Sequence, residues 1–146
     1  MTKRPAKPAN MPWISPYLAT ADAAASLEFY ARAFGFEKKE AYPGPDGRIM
    51  HAEMVWKDGV VMFGPAEKAT TLTPAQAGTT PPFGLCVYVD DVDALYARAT
   101  AAGAKTIREL KDQFYGDRSC TLADLDGYQW TFATNIADFD PTKMPS

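Results

Sequence analysis

The only histidine of the chain, His51, stands two residues before Glu53 in the run Ile49-Met50-His51-Ala52-Glu53-Met54. In an extended strand residues i and i+2 share a face, so an imidazole and a carboxylate would lie side by side. Such a pair can move a proton near neutral pH, or supply two ligands of a metal site that finds further partners elsewhere. On an exposed strand it can equally be a solvated contact, and a one-residue slip of register reverses the face it occupies. A second stretch, Phe114-Tyr115-Gly116-Asp117-Arg118, carries an arginine able to hold a ligand carboxylate or phosphate by two parallel hydrogen bonds, or to pair with an acidic neighbour and fix a bend. Trp56, Phe63, Tyr115 and Trp130 could wall a flat apolar ligand or fill a core. Cys86 and Cys120 sit in apolar, strand-like runs without CxxC spacing, the pattern of buried free thiols rather than of a zinc knuckle or disulfide framework. The sequence contains no phosphate loop, nucleophile elbow or dinucleotide fingerprint.

The elements that must position these residues can be read in order. Residues 1–12 contain Pro5, Pro8 and Pro12 and read as a flexible arm, and Trp13 to Thr20 reads as a strand with Pro16 at an edge or bulge. Asp22 is a helix cap, Ala23, Leu27, Tyr30 and Phe34 form an apolar stripe, and Gly35 is the stop. Phe36 to Tyr42 follows as a strand. The apolar runs Arg48–Trp56 and Val60–Phe63 then flank Lys57-Asp58-Gly59, a strong hairpin signal. Residues 65–82, rich in Pro, Thr and Ala, read as a connector with little regular structure.

The same order then returns. Phe83 to Val89 is a strand and Asp91 a cap. Val92, Leu95, Ala99 and Ala102 make a stripe ended by Gly103, Thr106 to Leu110 is a strand, and a last hairpin turns at Asp126-Gly127. From Asp22 to Asp91 is 91 − 22 = 69 residues and from Asp58 to Asp126 is 126 − 58 = 68, so cap and turn recur at nearly one spacing. That is an internal duplication. It predicts two units, residues 13–64 and 83–135, with residues 136–146 as a tail.

The totals narrow the function. A chain of 146 residues forms one compact domain, burying roughly 68–70% of its unfolded surface without staples. A formal net charge of −3 leaves no basic field for nucleic acid, and the sequence shows neither a signal peptide nor a membrane span. The expectation is a cytoplasmic protein that engages neither nucleic acid nor membrane.

Tandem strand-helix-strand-strand-strand units with Asp-capped helices resemble the vicinal oxygen chelate superfamily, which includes glyoxalase I, bleomycin-resistance proteins and extradiol dioxygenases. More narrowly, Ile49 to Met54, Asp112 to Arg118 and Asp124 to Thr134 are similar to its PhnB-like branch. The resemblance implies an α+β fold in which two βαβββ units form an incomplete eight-stranded barrel or cup around a small-molecule cavity, with the helices outside. It also implies a homodimer. In the metal enzymes of the superfamily, the ligand positions would correspond here to Ser15, Phe63, Gly84 and Thr131. Phenylalanine and glycine offer no donor and a neutral hydroxyl binds weakly, so the expectation is a metal-independent binder of a small, partly aromatic molecule, without a cofactor. Trp56, Phe63, Tyr115, Arg118 and Trp130 would form its ligand wall. The alternative is a divalent-metal lyase, isomerase or dioxygenase with a shifted site that includes His51 and Glu53 as catalytic residues.

Overall fold

Eight short strands need partners, and the duplicated order supplies them in two sets of four. The computed structural model describes residues 3–67 and 71–145. The first two residues of the expected arm, residues 68–70 of the connector and the last residue of the tail lie outside the described residues. The first unit contains β1 (Tyr17–Thr20), α1 (Ala23–Phe29), β2 (Glu37–Pro43), β3 (Ile49–Trp56) and β4 (Gly59–Pro65). After a short helix α2 (Pro74–Ala77), the second unit repeats the order as β5 (Leu85–Tyr88), α3 (Val92–Ala101), β6 (Lys105–Asp112), β7 (Asp117–Ala123) and β8 (Gln129–Asn135). Each unit is a four-stranded mixed sheet, β1-β4-β3-β2 and β5-β8-β7-β6, with one parallel pair at the edge. The expected α+β architecture of two unclosed, four-stranded halves is therefore present.

Local chemistry explains the helices. Asp22 and Asp91 accept hydrogen bonds from Ala25 N and Ala94 N, both at 3.1 Å, and so satisfy donors at the first turns. Helix α1 runs on into a π-helical segment, Tyr30–Phe34, which ends at Gly35 in the left-handed conformation. The carbonyls of Ala31 and Arg32 at this end accept hydrogen bonds from Arg98 of α3, at 2.9 and 2.8 Å. One unit thus caps the helix of the other.

Alternation along the strands puts the core between the units. Leu18, Ala52, Met54, Val61 and Phe63 of the first sheet and Cys120, Leu122, Trp130 and Phe132 of the second join Tyr30 and Phe34 in one buried cluster. Tyr30 meets Phe63 and Trp130 edge-on, each at 5.4 Å between ring centres, and Phe34 lies 4.7 Å from Phe132. The helix-covered faces of the two sheets accordingly turn towards each other, so the helices lie between the two sheets rather than outside them as expected, and among the described residues α1 and α3 leave the opposite face of each sheet open.

Three expectations change in detail. The first strand begins at Tyr17 rather than Trp13, because Pro16 has no N–H to give a ladder and contributes only its carbonyl, to Met62 N at 3.0 Å. Trp13 and Ile14, ahead of it, are 78% and 89% exposed. The connector is not wholly irregular, since Thr73 and Gln76 form a reciprocal capping box around α2 with proline at its first turn. Cys86 is exposed, while Cys120 is buried as expected. Among the described residues, no helix is long and apolar enough to cross a membrane.

Candidate functional site

The open face of the first sheet is built by all four of its strands, β1, β4, β3 and β2. Ala52 and Met54 are in the core, so the alternate residues His51 and Glu53 point to the open side. His51 Nε2 lies 2.8 Å from Glu53 Oε2, and Lys39 Nζ reaches Glu53 Oε1 at the same distance. A carboxylate only accepts, so Nε2 carries the proton, and in the neutral ring Nδ1 is left to accept from the Tyr17 hydroxyl, 3.3 Å away. Tyr42 stacks on the imidazole from the neighbouring strand, at 6.1 Å and 20° between planes. The hydrogen bond from His51, and then that from Lys39, holds the Glu53 carboxyl below the usual carboxylate range. Glu53 thereby fixes the ring orientation of His51.

On the second sheet the open face is more polar. Tyr88 donates to Asp117 Oδ2 at 2.7 Å and Asn135 donates to its Oδ1 at 3.0 Å. Thr121 and Thr131 share a 2.8 Å hydrogen bond beside them, and Cys86 lies opposite Thr131 in the ladder. Asp117 itself is only 6% exposed, yet both its oxygens are partnered.

The residues read from the sequence as a ligand wall do not stay together. Phe63 is fully buried against Tyr30, in the core rather than on a wall, because β4 turns its odd positions to the helices. Arg118 forks onto Asp93 of α3, with Nε and Nη2 contacts of 3.0–3.3 Å, and donates Nη1 to Asp112 at 3.0 Å. Each of its three nitrogens donates to a carboxylate within the chain, which ties β6 and β7 to α3 and holds the bend. Tyr115 stays in the turn before β7, edge-on to Phe114, and is 40% exposed. Trp56 and Trp130 come together elsewhere. They border a cleft of about 510 Å3 between the tip of the β3–β4 hairpin and β5.

Register also corrects the metal-position reading. Tyr17 pairs with Met62 and Cys86 with Thr131, so the residue on β4 that answers Thr131 is Met62, not Phe63. The spacing between corresponding residues is 69 along this strand, as for the caps, and only the hairpin turn carries 68. A thioether is no ligand for a hard divalent ion. Among the described residues no group of three or more His, Cys, Asp or Glu comes together to hold a metal ion. His51 and Glu53, the remaining candidates, already satisfy each other and a lysine ammonium, an arrangement that does not suit a divalent cation.

Tyr17, Tyr42, Tyr88, Asp117 and Asn135 were not legible as site residues. Tyr17 and Tyr88 acquire their meaning from strands distant in sequence, and alternation around His51 pointed to the face of the first sheet alone.

Paired βαβββ units, each a four-stranded mixed sheet with one open face, define the fold class, and the comparisons with known proteins identify the family. Residues 11–132 match the model of the glyoxalase/bleomycin resistance protein/dioxygenase superfamily, and the chain belongs to that superfamily. It is 34% identical over 137 residues to the uncharacterized protein Mb0911c of Mycobacterium bovis, covering 91% of this chain and 90% of that protein. Among solved structures it is similar to TioX from Micromonospora sp. ML1, at 31% identity and a TM-score of 0.69 over 84% of this chain and 98% of that one. The fold is also that of TnmS3, an antibiotic binding protein from Streptomyces sp. CB03234, at 21% identity and a TM-score of 0.63 over 83% and 93% of the two chains.

Proposed function

We propose that the protein binds a small, partly aromatic molecule in a cup walled by the open sheet faces, and that a second copy of the chain completes the cup. The observation that carries this reading is the platform of Tyr17, Tyr42 and His51, aromatic and hydrogen-bonding, on a sheet face without a helix. Within one chain the two open faces point away from each other, so each chain supplies two half-cups. A two-fold pairing sets the face of one unit against the other unit's face in the partner. The antibiotic binding protein TnmS3, of the same fold, supports a small molecule as the ligand. Within the superfamily we place the chain in the PhnB-like branch on its Ile49–Met54, Asp112–Arg118 and Asp124–Thr134 motifs, and in the cytoplasm, where the exposed thiol of Cys86 stays reduced.

Sedimentation and a thermal-shift screen test this together. The wild type should sediment as a dimer and Met62→Arg, which sets an unpaired cation on the open face, as a monomer. A bound aromatic compound at about a hundred times its dissociation constant should add about 2.7 kcal/mol of stability to the dimer. A wild-type monomer would contradict the shared cup. Metal analysis of protein purified without chelator decides the enzyme alternative: stoichiometric metal that disappears in His51→Ala would replace binding with metal-dependent chemistry at His51 and Glu53.

A further inference from the structure

Beyond their shared core and the Arg98 contacts, the hairpin turn of each unit makes a junction with the other unit, and the two junctions are unequal. At one, the β7–β8 turn closes on the start of the first unit. The Tyr128 hydroxyl donates to Ala19 O at 2.9 Å, Asp126 Oδ1 accepts from Ala21 N at 3.0 Å, and Asp124 accepts from Tyr30 at 2.6 Å. Helix α2 then seals the tip of that turn, with Ala75 N donating to Asp126 O at 2.9 Å and Gly127, at φ +91°, so close that a Cβ would meet Pro74 and Ala75 at 3.3 Å. At the other junction the β3–β4 turn reaches the second unit, among the described residues, by two side-chain hydrogen bonds, Trp56 Nε1 to Tyr88 O at 2.9 Å and Lys57 Nζ to Asp90 at 2.9 Å. Among the described residues no helix covers it, and behind it lies the cleft of about 510 Å3.

We propose that this hollow junction is a binding site, separate from the open sheet faces, for a planar aromatic molecule carrying one positive charge. Its volume falls in the range of small-molecule pockets. Phe36 forms its aromatic centre, 6.2 Å from Trp56 and 5.6 Å from Trp130, and Met54, Leu85 and Val87 complete an apolar lining. A flat ring system inserted there exchanges water for aromatic contacts without disturbing the sheets. Charge is decided at the mouth. Lys57 is neutralised by Asp90 and covers the Trp56 ring at 5.3 Å, whereas Asp58, also at the mouth, has no ion pair among the described residues. The uncompensated charge at the opening is therefore negative.

9-Aminoacridine, planar and cationic, is a suitable probe, read by quenching of tryptophan emission and by equilibrium dialysis. One molecule per chain should bind. Trp56→Ala should weaken binding about tenfold, the loss of one aromatic contact. Leu85→Trp, which fills the cleft from the core side, should abolish it while the thermal transition stays cooperative, and Asp58→Lys should weaken the cationic dye but not neutral acridine. Undiminished binding to a folded Leu85→Trp protein would overturn the assignment. So would binding seen only after removal of residues 1–12, since the arm would then be the occupant.

Discussion

Asp124→Ala should destabilise the protein by about 3–5 kcal/mol in urea denaturation, because several buried donors lose their acceptor at about 1–3 kcal/mol each. The carboxylate sits in the second turn, 8% exposed, and accepts from Tyr30 Oη at 2.6 Å, Trp130 Nε1 at 2.9 Å and the backbone N–H groups of Asp126 and Tyr128, both at 3.0 Å. It therefore binds the helix of one unit, the last strand of the other and its own turn at a single point. Asp124→Asn keeps one acceptor for the backbone donors but faces the Trp130 indole with a second donor, so an intermediate loss is expected. Burial pushes the Asp124 carboxyl above its ordinary value, against the pull of its hydrogen bonds. A group whose folded-state value is raised stabilises the fold fully below its unfolded value, and that contribution is lost as pH rises through the folded value. The stability margin of wild type over Asp124→Asn should therefore shrink as pH is raised from about 4 towards neutrality. A margin that grows with pH would show that the four hydrogen bonds outweigh burial.

The second large effect separates two roles for one residue. Phe63→Ala should cost about 3–5 kcal/mol, as expected of a phenyl ring removed from a packed core. Ligand affinity, measured well below the lowered melting temperature, should be unchanged. A ligand-wall residue would give the reverse: near-wild-type stability and weakened binding. The ring's complete burial and its edge-on contact with Tyr30 place it on the first side of that choice.

What could be read from the sequence was whatever depends on residues close together in the chain. The caps at Asp22 and Asp91, the Asp58-Gly59 turn and the near-equal spacings between the copies specify two βαβββ units without any knowledge of contacts. The capping box of α2 was present too, in Thr73-Pro74-Ala75-Gln76, but a single turn of helix leaves no periodicity to notice. The site was less accessible because its hydrogen bonds join distant strands: Tyr17 to His51, and Tyr88 to Asp117. Face assignment was harder still. The β2–β3 ladder shifts register between Lys38 and Glu40 and again between Tyr42 and Pro43, so counting along the chain does not show that Tyr42 stacks on His51. The same sensitivity moved one expected ligand position from Phe63 to Met62. Arg118 shows the other limit: its neighbours in sequence gave no sign that Asp93, on the preceding helix, would take its fork.

The inequality of the two junctions has a dynamic meaning. With Asp124, Asp126 and Tyr128 fastened at one end and only Trp56 and Lys57 bridging at the other, small openings of the molecule pivot about the fastened end, like a book held at its spine. Backbone amides from Trp56 to Val60 should then exchange with deuterium through local breathing, while those from Ala123 to Gln129 should exchange only when the whole chain unfolds. Exchange mass spectrometry of the unliganded protein reads this directly. Equal protection at both ends would mean that the units move as one rigid block.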